Sequence, residues 1–572
     1  MKLVLKYLKN HIGIFLLSTL FLTLEATADL MQPTFMALIV DNGIQNADLG
    51  LIGKYGLIML AIAAMGALSA VMRNHFASRT SQRIGKEIRH DMYSNVQSLS
   101  LENIDRLSPS SIITRITNDV NQIQDFINGL MRMMIKAPVT CIGAIILIII
   151  QTPRQAPIMA IILVIVSILI FANMRVGYPL YGKVQEKLDR LNGVTREFLS
   201  AVRVVKAFRA EDEEVDKFNS ASLELALSNT TVLRAMAIFT PLINLTVNFG
   251  IVILLWISQG QSAGEIGRLM ASVNYMTQVL FAVTMIANII NIAVRAMASS
   301  ERINEVLTET PAQKQPLNPL KPDIKGNILL EKVVFSYHDS SEKTLNDISI
   351  KINAGETIGI IGPTGSGKTT LVNLIPRFYD CTSGKITIDG ADVNDIDEKV
   401  LRDSIAIVPQ KALLFSGTIE DNLRWGKENA DSAEIREAIE TACADEFVDK
   451  MDLGINTVLG QGGVNLSGGQ KQRLALARAL IRKPRILILD DCTSALDAGT
   501  EAKVLAGIGN TGSSATVLLI SQRISTVMRA DKILCLDNGN VQGYGSHDEL
   551  MRTCHTYQEI YKSQIGGDDY GK

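Results

Sequence analysis

The chain has 572 residues, 47% hydrophobic and 20% charged, with a mean hydropathy of +0.20; that length calls for two or more units, because single cores stop growing at roughly 250 to 300 residues. Its 56 basic against 58 acidic residues leave a formal net charge of −2, which removes the broad positive field of a nucleic-acid binder. Cys141, Cys381, Cys443, Cys492, Cys535 and Cys554 lie far apart with no C-x-x-C pair, so neither a zinc site nor a disulfide framework is indicated.

Apolar runs at residues 12–24, 56–72, 137–151, 157–173, 238–257 and 273–294 each offer a membrane span. A bilayer core of about 30 Å needs about 20 helical residues, so the shorter runs continue into their mildly polar flanks. Lys2, Lys6 and Lys9 place the N-terminus in the cytoplasm, and the second and fourth connections carry most of the other Lys and Arg of this half. The basic start, the first run and Ala26-Thr27-Ala28 also imitate a secretory signal peptide, against which five further spans and a nucleotide-binding half argue. Glu25 and Asp29 stand four residues apart on the first span, where carboxylates are costly. Either they face a cavity, ready for a cationic amphiphile, or they sit hydrated near the outer interface. Asn244 and Asn248, with Asn288 and Asn291 in the interrupted sixth run, suit a polar path or interhelical hydrogen bonds.

The outward connections, residues 152–156 and 259–268, are short, whereas the second-to-third and fourth-to-fifth connections each run to about 60 residues. Leu188, Leu191, Thr195, Phe198 and Val202 carry helical spacing there. Hairpins with arms of about 25 residues would project roughly 40 Å beyond the membrane. Residues 308–325 hold four prolines and few apolar residues, the composition of an extended linker. From residue 326, short β-branched runs at 358–361, 405–408, 486–489 and 517–520 alternate with helical stretches, which predicts a largely parallel sheet covered by helices.

Gly362-Pro363-Thr364-Gly365-Ser366-Gly367-Lys368-Thr369, followed by Thr370, fits G-x-x-x-x-G-K-[ST] directly after a predicted strand. Glycines let backbone N–H groups curl round phosphate, Lys368 reaches the terminal phosphates, and the Thr369 hydroxyl is offered to Mg²⁺. Residues 486–490 form an apolar strand ending in Asp490, which presents a carboxylate to that Mg²⁺. This half therefore binds ATP with Mg²⁺, and the spans exclude a soluble kinase.

Asn465-Leu466-Ser467-Gly468-Gly469-Gln470 resembles the signature motif of the ABC ATPases, and with six preceding spans the whole chain resembles one half of an ABC exporter. The resemblance implies an all-α six-helix transmembrane domain with long intracellular hairpins (residues 1–307), a linker (308–325) and an α/β P-loop ATPase domain (326–572). It also implies that Tyr337 stacks on adenine, that Gln410 forms the glutamine loop beside the metal, and that residues 494–497 follow the second carboxylate as a loop. Ser467, Gly468, Gly469 and Gln470 would close over the γ-phosphate of ATP held by an opposite domain, so that two nucleotides lie at a dimer interface. Residues 107–119 and 197–210 resemble the coupling tips of the two hairpins.

Two positions depart from the family pattern. The catalytic glutamate is replaced by Asp491, and the switch histidine by Gln522. Losing one carbon withdraws the carboxylate by about 1.5 Å, and a misplacement near 1 Å costs about a hundredfold in rate. Glutamine donates a hydrogen bond but takes up no proton as imidazole does. Gln461 is a milder departure, standing where many exporters carry glutamate. Binding should survive while hydrolysis falls, as in the bacterial heterodimeric ABC multidrug exporters. The expected partner is a different half-transporter with Glu and His at these positions. The expected setting is the plasma membrane, with lipid around the spans and a small amphiphile as cargo; a lipid or peptide exporter and an ATP-gated channel are the alternatives.

Overall fold

The structure, a computed structural model, describes residues 2–153, 156–257, 266–337, 342–510 and 515–565. It divides into two compact units, one of Met1–Gln97 with Ser110–Glu309, the other of Ser98–Pro109 with Thr310–Lys572.

The first unit is helical. Its elements are α1 (Lys2–Lys9), α2 (Ile12–Leu38) and α3 (Leu49–Ser98), then, after α4 (Leu101–Leu107) of the second unit, α5 (Pro109–Thr114), α6 (Val120–Gly129), α7 (Lys136–Gln151), α8 (Ala156–Phe208), α9 (Glu211–Ala237), α10 (Phe239–Ile257) and α11 (Ile266–Thr308). Among the described residues six stretches are long and apolar enough to cross a membrane: Ile12–Ile44, Leu49–Ser98, Pro109–Gln151, Ala156–Phe208, Glu211–Ile257 and Ile266–Ile286. Leu30, Ala144, Ile148, Leu254 and Tyr275 are buried together where α2, α7, α10 and α11 meet. Lower down, Arg302 of α11 is fixed by the buried Asp119, with Nε 2.8 Å from Oδ2, and Arg115 pairs with Glu305 at 2.8 Å.

The first hairpin turns earlier than expected. Its tip is residues 99–108, with α4 between Ser98 and the left-handed Ser108 (φ 56°), and residues 109–119 already belong to the returning arm. Pro109 sets that point, because its fixed φ and missing N–H suit the first position of a helix. The second hairpin breaks at the left-handed Arg209 (φ 53°), within the expected 197–210. Glu211, Asp212, Glu213 and Glu214 then open α9, where negative charge favours a helix N-terminus.

In the second unit, β1 (Ile328–Phe335), β2 (Leu345–Ile352), β3 (Thr357–Ile361), β4 (Ser383–Ile388), β5 (Ala391–Asp392), β6 (Ile405–Val408), β7 (Gly417–Thr418), β8 (Val458–Leu459), β9 (Ile486–Asp490), β10 (Thr516–Ile520), β11 (Lys532–Asp537) and β12 (Asn540–Gly545) follow in order. The main sheet runs β12-β11-β3-β10-β9-β6. Its β11–β3, β3–β10, β10–β9 and β9–β6 pairs are parallel, and β12 joins antiparallel at the edge. A second sheet, β2-β1-β4-β5, is antiparallel. Ile328, Ile348, Ile360, Leu371, Ile386 and Leu534 share the core between the two sheets. A helical lobe buries its own cluster, including Leu414, Ile439 and Leu474. Asn103 of α4 donates to the Thr310 carbonyl at 3.1 Å and accepts from Ala312 N–H at 2.8 Å; Tyr379 donates to Asp105 at 2.6 Å. These bonds tie the hairpin tip into the second unit.

Candidate functional site

The carboxyl ends of parallel strands are where open α/β sheets hold ligands, and β3, β9 and β10 converge there. Gly367 is left-handed at φ 94° and precedes the helix α12 (Lys368–Leu374). A side chain at Gly367 would be strained by that φ and would also meet Leu345 Cδ2 at 2.8 Å. Lys368 donates to the carbonyls of Gly362 at 2.8 Å and Pro363 at 2.7 Å and to Ser366 Oγ at 3.3 Å, which folds the loop round its ammonium. Burial pushes the Lys368 ammonium below its ordinary value.

Opposite Lys368, Thr369 Oγ1 donates to both oxygens of Asp490, at 3.1 and 3.0 Å. Asp491 has a left-handed backbone, φ 46°, which is uncommon for a residue with a side chain and clusters at functional sites. Its N–H donates to the Ile520 carbonyl at 3.0 Å, while Gln410 Nε2 donates to its Oδ2 at 3.2 Å. Burial raises both carboxyls above their ordinary values, with the neighbouring Asp491 charge adding to the shift at Asp490. Thr364, Gly365, Gly367, Lys368, Thr369, Thr370, Gln410, Asp490, Asp491 and Gln522 all line one cavity of about 320 Å³. Tyr337 reaches the same helix, its hydroxyl 3.2 Å from Thr370 Oγ1, and its ring stands edge-on to Phe335 and Tyr379 at 4.9 and 5.5 Å.

Ser467, Gly468, Gly469 and Gln470 are not among the residues lining that cavity. They open the helix Gly468–Leu480 through a capping box: Ser467 Oγ accepts from Gln470 N–H at 3.3 Å, and Gln470 Oε1 accepts from Ser467 N–H at 2.9 Å. Ser467 and Gly468 are exposed. A side chain on Gly469 would come within 3.0 Å of the Ala495 carbonyl, so this helix start lies flat on the loop after Asp491.

Several connecting residues carry no sequence signal of their role. Gln472 Oε1 accepts from Ala495 N–H at 3.1 Å, and Ser494 Oγ donates to the Asp491 carbonyl at 2.9 Å. The buried Glu501 accepts from Thr493 at 2.7 Å and Thr526 at 2.8 Å, with Arg523 Nη1 3.4 Å away. Glu501 looks in the sequence like an ordinary first-turn helical acid. Of the candidate polar residues on the spans, Asn248 donates to the Asn244 carbonyl of its own helix at 2.9 Å rather than to a neighbouring helix. The side chains of Asn288 and Asn291, and most of the 259–268 connection, lie outside the described residues.

The membrane-region family description, ABC transporter transmembrane region, matches residues 15–283, and the description ABC transporter matches residues 345–494. The chain is 38% identical over 571 residues to the uncharacterized ABC transporter ATP-binding protein YfiB of Bacillus subtilis, covering 99% of each. It is 31% identical over 604 residues to that organism's putative multidrug export ATP-binding/permease protein YgaD, again 99% of each. The solved structure of a bacterial Atm1-family ABC exporter with ATP bound shares the fold, with a TM-score of 0.78, 24% identity and coverage of 98% of this chain and 99% of that one. A helical membrane unit, a phosphate loop feeding a parallel sheet and near-full-length relatives on both halves place the chain in the ABC transporter family, as an exporter ATPase that couples ATP hydrolysis to transport.

Proposed function

We propose that this chain is the subunit of a heterodimeric exporter that holds ATP without hydrolysing it well, and that it lends its signature segment to a partner's competent site. The carrying observation is Asp491, the carboxylate beside Asp490, held by Gln410 at 3.2 Å and one carbon shorter than glutamate. Gln522 lines the same cavity and cannot take up a proton at neutral pH. Beside these losses, Ser467 to Gln470 keep an exposed, capped helix start suited to an anion. A self-paired assembly would contain two impaired centres, which favours a different partner carrying Glu and His.

Gly362 to Thr370 and Tyr337 would hold ATP. The adjoining oxygens of Thr369 and Asp490 are hard donors that fit Mg²⁺, with Gln410 beside them; the ion would supply positive charge against the β- and γ-phosphates. ATP bound between two such domains draws them together, the hairpin tips pass that closure to the spans, and hydrolysis at the partner's glutamate resets the cycle. A cytoplasmic N-terminus follows from Lys2, Lys6 and Lys9, and the plasma membrane is the setting that an efflux role implies. Amphiphile or multidrug efflux is the cargo reading, consistent with the name carried by YgaD.

Asp491→Glu in the assembled pair, with the partner's own glutamate replaced by glutamine, tests the assignment. Hydrolysis should rise about tenfold or more as the carboxylate recovers its reach; unchanged hydrolysis would contradict a degenerate site.

A further inference from the structure

Gln522 lines the nucleotide cavity, yet its side chain makes no hydrogen bond or ion pair among the described residues. What aims that side chain is therefore its backbone, and the backbone is held from two sides. On one side Arg523 reaches the loop after Asp491, its Nη2 donating to the Ser494 carbonyl at 3.2 Å and its Nη1 to the Leu496 carbonyl at 3.3 Å. On the other stands a residue 42 positions away: Gln564 Nε2 donates to the Gln522 carbonyl at 2.7 Å, and Gln564 Oε1 accepts from Ile524 N–H at 2.8 Å. Both ends of one amide are used at once, which fixes the segment 522–524 at two points rather than one.

The helix His555–Ile565 delivers that amide. Tyr557, Tyr561 and Gln564 follow one another at spacings of four and three, so they share a face of this helix. Tyr557 is fully buried, its hydroxyl 2.7 Å from His547 Nδ1. With Ile560 and Tyr561 it packs against Ile524, Val527 and Ile533, which seats the helix directly on the segment that Gln564 grips. The Gln522 N–H in turn donates to the Asp491 carboxylate and works against the rise that burial causes there. Residue 522 thus stands between Gln564 and the carboxylate next to Asp490.

We propose that Gln564 is a positioning residue for the terminal-phosphate side of this chain's nucleotide site, acting without touching nucleotide by holding residue 522 against the cavity. Lys368 and Asp490 mark that side of the cavity, and Tyr337 marks the other. ADP ends before the terminal phosphate, so the effect of Gln564 should be felt by ATP and not by ADP. The inference stands apart from how fast this site hydrolyses.

The test uses the complete assembly in lipid nanodiscs with Mg²⁺ on ice, photolabelled with 8-azido-ATP or 8-azido-ADP carrying the label on the α-phosphate and read on this chain alone. Gln564→Ala should raise the half-saturating concentration of the ATP probe about fivefold, the worth of about one net hydrogen bond, and move that of the ADP probe by less than about twofold. Gln564→Glu keeps an acceptor for Ile524 N–H but sets a carboxylate against the Gln522 carbonyl; it should lose ATP as Ala does while the melting temperature holds. Gln522→Ala with Gln564→Ala should lose clearly less than the product of the two single losses, because both act through one side chain. Equal weakening of ATP and ADP, the behaviour of a merely structural strut, would overturn the proposal, as would no loss with either Gln564 variant or losses that simply multiply.

Discussion

Asp491 combines a left-handed backbone with a side chain tethered by Gln410, so its short carboxylate cannot recover reach by swinging freely. Gln522→His alone should therefore leave hydrolysis at this site low, whereas adding Asp491→Glu should raise it and give a rate that depends on pH near about 6.5, the ordinary histidine value. Rate against pH for the single and double variants checks this. Ser467 caps its helix, and on the proposed reading it would also donate to phosphate in the opposite site; Ala removes both, the cap being worth about 1 kcal/mol. Ser467→Ala should depress the ATPase rate of the pair more than Lys368→Ala. Ser467→Asp keeps a capping oxygen but sets a negative charge against phosphate; it should lose activity as far as Ala does while the melting temperature holds. An active Ser467→Asp pair would show that only the cap mattered.

The loop after Asp491, the helix Ala498–Asn510 and the segment after Gln522 are joined through Glu501, which takes hydrogen bonds from Thr493 and Thr526 beside Arg523. Removing a buried carboxylate with several donors around it costs about 3 kcal/mol. Glu501→Ala should lower the melting temperature clearly and slow the pair's ATPase, and Glu501→Gln, which retains one acceptor, should do less; equal melting temperatures for wild type and both variants would show the network to be inert. Elements of this kind differ in how visible they are in the sequence. Strands β3, β6, β9 and β10 were readable because parallel strands buried on both faces are continuous apolar runs. The antiparallel sheet escaped because register shifts after Leu330 and Val333 break the alternation of β1. The first hairpin tip was misplaced because residues 101–107 and 110–119 both keep helical composition on either side of Ser108, and only Pro109 marks the restart. The phosphate loop and Asp490 were legible by spacing, Asp491 and Gln410 only through the family resemblance; Thr364, Gly365, Gly367 to Thr370, Gln410, Asp490 and Asp491 line one cavity. Arg73 and Lys136 were not read as partners of Glu25, since they come from spans 48 and 111 residues away.

At the scale of the whole chain, each unit leaves large apolar side chains uncovered. Phe208 and Val204 near the second hairpin break are 80% and 57% exposed; on the ATPase unit Trp425 is 67% and Leu413 56% exposed. The decisive property of the proposed assembly of two half-transporters would be inequality between its nucleotide sites. The most direct measurement is ATP turnover and ATP retention by this chain purified without a partner in lipid nanodiscs, set beside the assembled pair. Retained, unhydrolysed ATP with turnover about a hundredfold below the pair's is the expected result; brisk turnover by a self-paired assembly would contradict it.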